Sequence, residues 1–232
     1  MSVILNIETS ASICSVAVSA DGMIEFHIES EEAMQHASLL AQYVDRCMEH
    51  IARRELKLDA VAVSIGPGSY TGLRIGLSLA KGLCYSHDIP LIAVSTLEIL
   101  AVKAMFGLRE CEGDEILVPM IDARRMEVYT AAYDFALHAV MEPQPLILDA
   151  DSYASLAGAR KVVFIGNGVD KARDVVKLPN ALWLTNAMPL AIDMVALSEK
   201  AFREGKFADT AYCVPEYLKE FQATKPRNLL NT

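Results

Sequence analysis

The sequence predicts an α/β protein of two tandem lobes, each a mixed five-stranded sheet flanked by helices. Three observations carry this expectation. Strand-like apolar segments come in threes and are followed by alternating helical and strand-like segments, in the order βββαβαβα. That order returns in the second half, although the halves share little visible identity. A chain of 232 residues that is 53% hydrophobic and 22% charged also has the apolar content for a large core, which argues against global disorder.

Each element follows from its local pattern. Residues 2–9 read as an apolar strand. Residues 13–19 alternate as a second, and Ala20-Asp21-Gly22 turns tightly into a third over 23–29. Residues 31–55 have helical periodicity, with Ala37, Leu40, Val44, Cys47, Met48 and Ile51 on one face. A strand over 59–65 leads through a glycine turn to a helix over 71–86, a strand over 90–94 and a helix over 95–105. Ser95 is placed to cap that helix, with Glu98 completing a capping box. In the second half, 115–121, 127–135 and 137–148 read as strands and 149–158 as a short helix. A strand (161–165), the turn Gly166-Asn167-Gly168, a helix (169–176), a strand (181–185) and a long helix (189–205) complete it.

Three antiparallel strands followed by alternating helices and strands give a mixed sheet with helices on its faces. Two tandem copies are the architecture of the actin-like ATPase (ASKHA) superfamily, built on duplicated ribonuclease-H-like halves. The boundary is expected in 106–114, giving lobes 1–105 and 106–208. The tail, 209–232, carries Tyr212, Val214, Tyr217, Leu218 and Phe221 and is too apolar to stay free, so it is expected to pack back on the body.

The formal charge is −9 and both halves are acidic, which argues against stand-alone nucleic-acid binding. No apolar run reaches the roughly 18–20 residues of a membrane span, and the first residues lack the basic and apolar regions of a signal peptide. Cys14, Cys47, Cys84, Cys111 and Cys213 are scattered and form no CxxC pair, so they read as free thiols of a reducing cytoplasm.

The run from Ser64 to Gly76, Ser-Ile-Gly-Pro-Gly-Ser-Tyr-Thr-Gly-Leu-Arg-Ile-Gly, is the most distinctive stretch. Gly68 and Gly72 permit torsions or close approaches that a Cβ would block. The loop amides stand where a helix N-terminus binds an anion; a tight turn without ligand is the plainer reading. It is not a Walker loop, because Leu73 and Arg74 stand where Lys-Ser/Thr would follow. Glycine within a helix costs about 1 kcal/mol against alanine. The Gly72, Gly76, Ala80 spacing therefore predicts another backbone packed very close, from this chain or from a partner.

Actin-like kinases hold an acid near the phosphates and metal at the first strand end. Here that end is Asn6-Ile7-Glu8-Thr9-Ser10, and the matching end in the second half is Ile121-Asp122-Ala123-Arg124-Arg125. The candidate residues for a residual nucleotide or anion site are Glu8, Thr9, Ser10, Gly66, Gly68, Ser69, Asp122 and Arg124. Against this, Thr9 and Ser10 serve equally as caps, and Asp122 as an ion-pair partner of Arg124 and Arg125. The Gly166-Asn167-Gly168 turn is a lone GxG and weak evidence. No HxxxH, HExxH or Gly-x-Ser-x-Gly occurs, and His27, His50, His87 and His138 are isolated. No catalytic constellation, metal or cofactor is expected. The helix over 31–55 has a second face with Leu39, Tyr43 and Met48, beside a helix carrying Leu73, Leu77 and the small residues. Either these helices form an interface or their own sheet covers them.

Four segments resemble the TsaB (YeaZ) family: Val3 to Ser10 with Cys14 to Val18; Gly66 to Gly76; Ile121 to Arg125 with Glu127-Val128-Tyr129; and Pro215 to Leu218. The resemblance runs from end to end, and the Gly66 to Gly76 motif is highly specific. It implies a role in making threonylcarbamoyladenosine next to the anticodon of tRNAs that read codons beginning with A. It further implies that TsaD performs the transfer from threonylcarbamoyl-AMP. TsaB would be its non-catalytic dimerisation partner, the ATPase TsaE would join a ternary complex, and tRNA would be reached only through the partner. The contacts implied for TsaD are His36, Leu39, Leu40, Tyr43, Gly72, Leu73, Gly76, Leu77 and Ala80, with homodimerisation through the same helices when TsaD is absent. The location implied is cytoplasmic. Glu8 departs from the usual Asp and is similar to TsaD, whose HxxxH is missing here. The competing expectations are an active actin-like small-molecule kinase, which needs nucleotide between the lobes, and a metallopeptidase, which lacks its ligand pair.

Overall fold

Three antiparallel strands open the first lobe: β1 (Val3–Glu8), β2 (Cys14–Ala20) and β3 (Met23–Ser30). The computed structural model describes residues 1–30, 36–108 and 112–219, without the side chains of 36–38. Expectations for residues 31–35, for the His36 side chain, for Cys111 and for Phe221 lie outside the described residues. Next come α1 (His36–Arg53), β4 (Ala60–Gly66), α2 (Tyr70–His87), β5 (Leu91–Ser95) and α3 (Thr96–Gly107). β4 runs parallel to β1, with Ile7 beside Val63, and β5 parallel to β4, so the sheet order is β3-β2-β1-β4-β5.

The second lobe repeats this wiring. It comprises β6 (Ile116–Asp122), β7 (Glu127–Tyr133), β8 (Ala139–Ile147), β9 (Val162–Ile165), α4 (Val169–Val175), β10 (Ala181–Leu184) and α5 (Val195–Arg203). The order β10-β9-β6-β7-β8 matches the first sheet strand for strand. The fold is two tandem ribonuclease-H-like lobes in the actin-like arrangement. Pro143 and Pro145 lie in the edge strand β8, where a missing amide is tolerated.

Covering both faces of a sheet makes its central strands continuously apolar. β1 and β2 are buried at every position. On one face, Leu5, Ile7 and Val16 meet Leu40, Val44 and Leu77 of α1 and α2. On the other, Ile4, Ala62 and Ile92 meet Met194, with Leu197 and Phe202 of α5 packed against them. α3 leaves the first lobe and covers the second sheet through Leu97, Leu100 and Ala104 against Leu117 and Val163. Its Ile99 stays with the first sheet. That two-sided demand explains why α3 is apolar all round. Each lobe therefore lends a helix to the other. Buried polar bonds set the register: Ser198 Oγ donates to Asn6 Oδ1 (2.6 Å) and Ser2 Oγ to Glu199 Oε2 (2.7 Å).

Three local expectations are corrected. The helix over 149–158 is a single 3-10 turn, Ala154–Leu156. The helix over 189–205 starts as a 3-10 turn, Ala191–Met194, because the Ala191 amide donates to Ser15 Oγ of β2 (2.9 Å) and the Leu190 amide to Asp193 Oδ2 (3.0 Å). Ser95 precedes α3 but makes no side-chain cap bond; it is also the last residue of β5 and keeps extended geometry. The described tail lies on lobe one. Ala208 N donates to the Leu91 carbonyl (2.8 Å), Lys81 Nζ to Ala211 O (3.0 Å) and Glu216 N to Ile65 O (2.7 Å), and Lys219 then reaches Glu127 of β7. Among the described residues no helix is long and apolar enough to cross a membrane.

Candidate functional site

The residues at the end of β1 leave the strand in different directions. Thr9 turns to α2, where its hydroxyl donates to the Gly72 carbonyl (2.8 Å). The Ser10 carbonyl accepts the Ser69 amide (2.7 Å). Glu8 is wholly enclosed. One of its oxygens accepts the Ser10 amide (2.5 Å), and the other has no partner among the described residues. Burial pushes its pKa up from 4.5 to about 7, against the opposing pull of bonds from Ser10 and Ser64. A carboxyl held this way is closed off from the cleft's solvent.

The strand ends of the two lobes meet over a cavity of about 10 Å³ lined by Ser10, Ala11, Thr96, Leu100, Ile121, Asn167 and Pro189. That is room for about one water, whereas ligand pockets span about 300 Å³ or more. Ser10 Oγ and Thr96 Oγ1 are buried without a bonding partner among the described residues. Of the candidate anion-site residues only Ser10 lines this cavity. Thr96, Asn167 and Pro189 were not legible as lining residues, since each comes from an element remote in sequence. The one signal was Asn167 in its GxG turn, and its Oδ1 accepts the Asp122 amide (2.8 Å).

The glycine turn closes on this same chain. A Cβ on Gly68 would meet Ser10, on Gly72 the Thr9 carbonyl, and on Gly76 the Thr9 hydroxyl. The close neighbour predicted from the four-residue spacing is, at Gly72 and Gly76, the end of β1 of this same chain. Two amides expected to face an anion are bonded internally: Ser69 N to Ser10 O, and Gly72 N to Ser69 Oγ (3.2 Å). Gly66 (φ 122°) packs against the Glu216 carbonyl of the tail.

Burial divides the rest of the expected contact face. Leu40, Leu73, Leu77 and Ala80 are at most 4% exposed and lie inside lobe one. Leu39 and Tyr43 remain half-buried, beside a side of α2 where Ile75, Leu79 and Leu83 are half-buried and Tyr85 is 87% exposed. On this outer side Gly82 is exposed, and among the described residues no atom outside its own helix lies within 4 Å of where its Cβ would stand. Sequence reasoning followed the spacing 72, 76, 80 and passed over Ser78 and Gly82, which are also four apart and face outward.

At the second strand end Asp122 is exposed. Its Oδ1 accepts the Arg124 amide (2.7 Å) and the Lys171 ammonium (2.5 Å). Lys171 also donates to the carbonyls of Arg125 (3.0 Å) and Glu127. The expected ion pair of Asp122 with the Arg124 and Arg125 side chains is therefore corrected to one with Lys171. Arg124 and Arg125 both sit at positive φ, 69° and 48°, a region that costs a non-glycine residue about 1 kcal/mol or more.

The family model for TsaD, tRNA N6-adenosine threonylcarbamoyltransferase, matches residues 30–225. The tRNA threonylcarbamoyladenosine biosynthesis protein TsaB of Escherichia coli (strain K12) is 30% identical over 96% of both chains. That of Bacillus subtilis (strain 168) is 36% identical over 72% of both. Among solved structures, a Pseudomonas aeruginosa protein described as similar to the peptidase YEAZ superposes with a TM-score of 0.82. It is 27% identical, over 94% of this chain and all of that one.

Proposed function

The chain belongs to the TsaB (YeaZ) family, and from that premise we propose that it serves tRNA threonylcarbamoyladenosine formation as the non-catalytic partner of TsaD. It scaffolds TsaD through the outer side of α1 and α2, in the cytoplasm. TsaE completes a ternary complex, and tRNA is held mainly by TsaD, in keeping with the charge of −9 on this chain. The observation that carries this reading is Gly82. A glycine inside an exposed helix costs about 1 kcal/mol against alanine, and among the described residues nothing outside its own helix packs on it. A second helix brought close at Ser78 and Gly82, flanked by Leu79, Leu83 and Tyr43, supplies the missing reason. The filled cleft and the enclosed Glu8 favour a scaffold over a nucleotide-consuming enzyme. In the absence of TsaD the same side accounts for a homodimer.

Titration calorimetry of this protein into TsaD from the same organism tests the reading, with Gly82→Leu as the variant and ATP into this protein alone as a parallel run. The expected result is tight TsaD binding, weakened at least ~10-fold by Gly82→Leu, with no heat from ATP. The variant should melt no lower than the wild type, because leucine is the better helix former. Unchanged affinity for TsaD would remove α2 from the interface. ATP binding that is lost in Glu8→Ala, without TsaD association, would establish the kinase reading instead.

A further inference from the structure

We propose that the Arg124–Arg125 hairpin of the second lobe contacts the phosphate backbone of tRNA directly while this protein is bound to TsaD. The inference rests on the tRNA-modification reading above and sharpens it, since that reading leaves tRNA to the partner. Its first basis is local charge. Two carboxylates at this hairpin are matched: Asp122 pairs with Lys171 at 2.5 Å and Glu127 with Lys219 at 2.7 Å. Arg124 and Arg125 add two further cations beside these pairs, and Asp149 adds one carboxylate, following Leu148, whose amide donates to the Met126 carbonyl.

The second basis is availability. Both arginines are exposed, and among the described residues neither guanidinium has a hydrogen bond or an ion pair. Elsewhere Arg53 pairs with Glu49, Arg54 with Glu25, Arg160 with Glu112 and Arg203 with Glu199, while Arg46 and Arg173 stand exposed and unpaired among the described residues, but singly. The third is backbone geometry. Two consecutive residues at positive φ favour Asn and Gly, yet arginine holds both positions. Lys171 fixes this shape by binding the Asp122 carboxylate and the carbonyls of Arg125 and Glu127 at once. The result is a braced tip presenting two guanidinium forks, whose planar donors match phosphate oxygens. Two such contacts position an RNA without reading its sequence.

The test uses the assembled complex of this protein with TsaD and a tRNA transcript, with affinity measured across a salt series. The variant Arg124→Gly/Arg125→Gly suits the positive φ values and so keeps the fold. The control Arg160→Ala/Lys161→Ala removes equal charge beside the N-terminal end of β9, whereas Asp122 lies at the opposite end of the parallel strand β6. The glycine pair is expected to weaken tRNA binding ~10-fold at low salt and to lower the slope of log K against log salt by about 2. TsaD affinity and the melting temperature should stay unchanged, the control should bind like the wild type, and Arg124→Lys/Arg125→Lys should restore most of the salt slope. Equal affinity and slope in the glycine variant would overturn the proposal. So would a loss traced to weaker TsaD binding, which would make the hairpin a protein contact. If the wild-type complex itself failed to bind tRNA, the tRNA-modification reading would fall first, and that outcome is separate from the other two.

Discussion

The two lobes use one strand–turn–helix unit in opposite ways. In lobe one β4 runs into Gly66 (φ 122°), and in lobe two β9 runs into the turn at Gly166 (φ 120°). Gly66 faces the Glu216 carbonyl of the tail, whereas Gly166 faces the Met120 carbonyl of the adjacent central strand. The acids at the neighbouring strand ends differ in the same sense. Glu8 is sealed, with its pKa raised to about 7 by burial, while Asp122 is exposed and bonded to Lys171. Equal backbone geometry thus leaves the chemistry open. What packs over the turn decides whether a carboxylate is a sealed, proton-holding group or one arm of a surface bond.

The largest effect that would sharpen this contrast comes from the turn glycines. Gly166→Ala adds backbone strain and forces a Cβ into the Met120 carbonyl inside the sheet. It is expected to cost about 4 kcal/mol, which for this size lowers Tm by roughly 8–16 °C. Gly66→Ala meets the tail 2.7 Å away, and the tail can be displaced. Its expected cost is about 2 kcal/mol, together with faster tryptic cleavage around Lys219. Equal losses at the two positions, with no change in cleavage, would erase the contrast.

A smaller effect comes from Glu8. Its folded-state pKa lies above the unfolded value, so the folded state holds the proton more tightly. Stability is unaffected below pH 4.5, falls as pH rises from 4.5 to about 7, and is flat above that. Glu8→Gln removes the loss. Urea melts should show the variant matching the wild type near pH 4.5 and exceeding it by about 1–3 kcal/mol at pH 8. A constant difference at both pH values would mean that folding leaves the Glu8 pKa where it is in the unfolded chain. The smallest effect is expected in lobe two. Lys171→Ala frees an exposed carboxylate and two carbonyls that water can reach, at about 1 kcal/mol, read as a small shift in Tm.

Much of the fold was legible in the sequence because the signals are local. The alternation in residues 13–19, the periodicity of Val44, Cys47 and Ile51, and the turn at Asp21-Gly22 each depend on near neighbours. The limits appear where distant segments compete. Ser95 has the residue type and spacing of a cap, but it ends β5. The stretch before α5 has helical periodicity, but Ser15 from the other lobe captures the Ala191 amide. Glu8 ends β1 and Asp122 ends β6, where the element pattern places them. The cavity lining of Thr96, Asn167 and Pro189 was invisible, since nothing local ties these three together.

The sequence by itself determined the duplicated βββαβαβα order, the acidic charge and the family motifs, all of which are written in spacing and composition. Only the tertiary structure decided which neighbour each small residue meets. The Gly72 and Gly76 spacing announces a close approach without naming its partner, and Thr9 of the same chain provides it. Gly82 of the same helix is exposed and, among the described residues, meets nothing outside that helix. The physical reason is that periodicity fixes the face on which a residue lies. The burial of that face, and with it the proton on Glu8, depends on every segment packed around it.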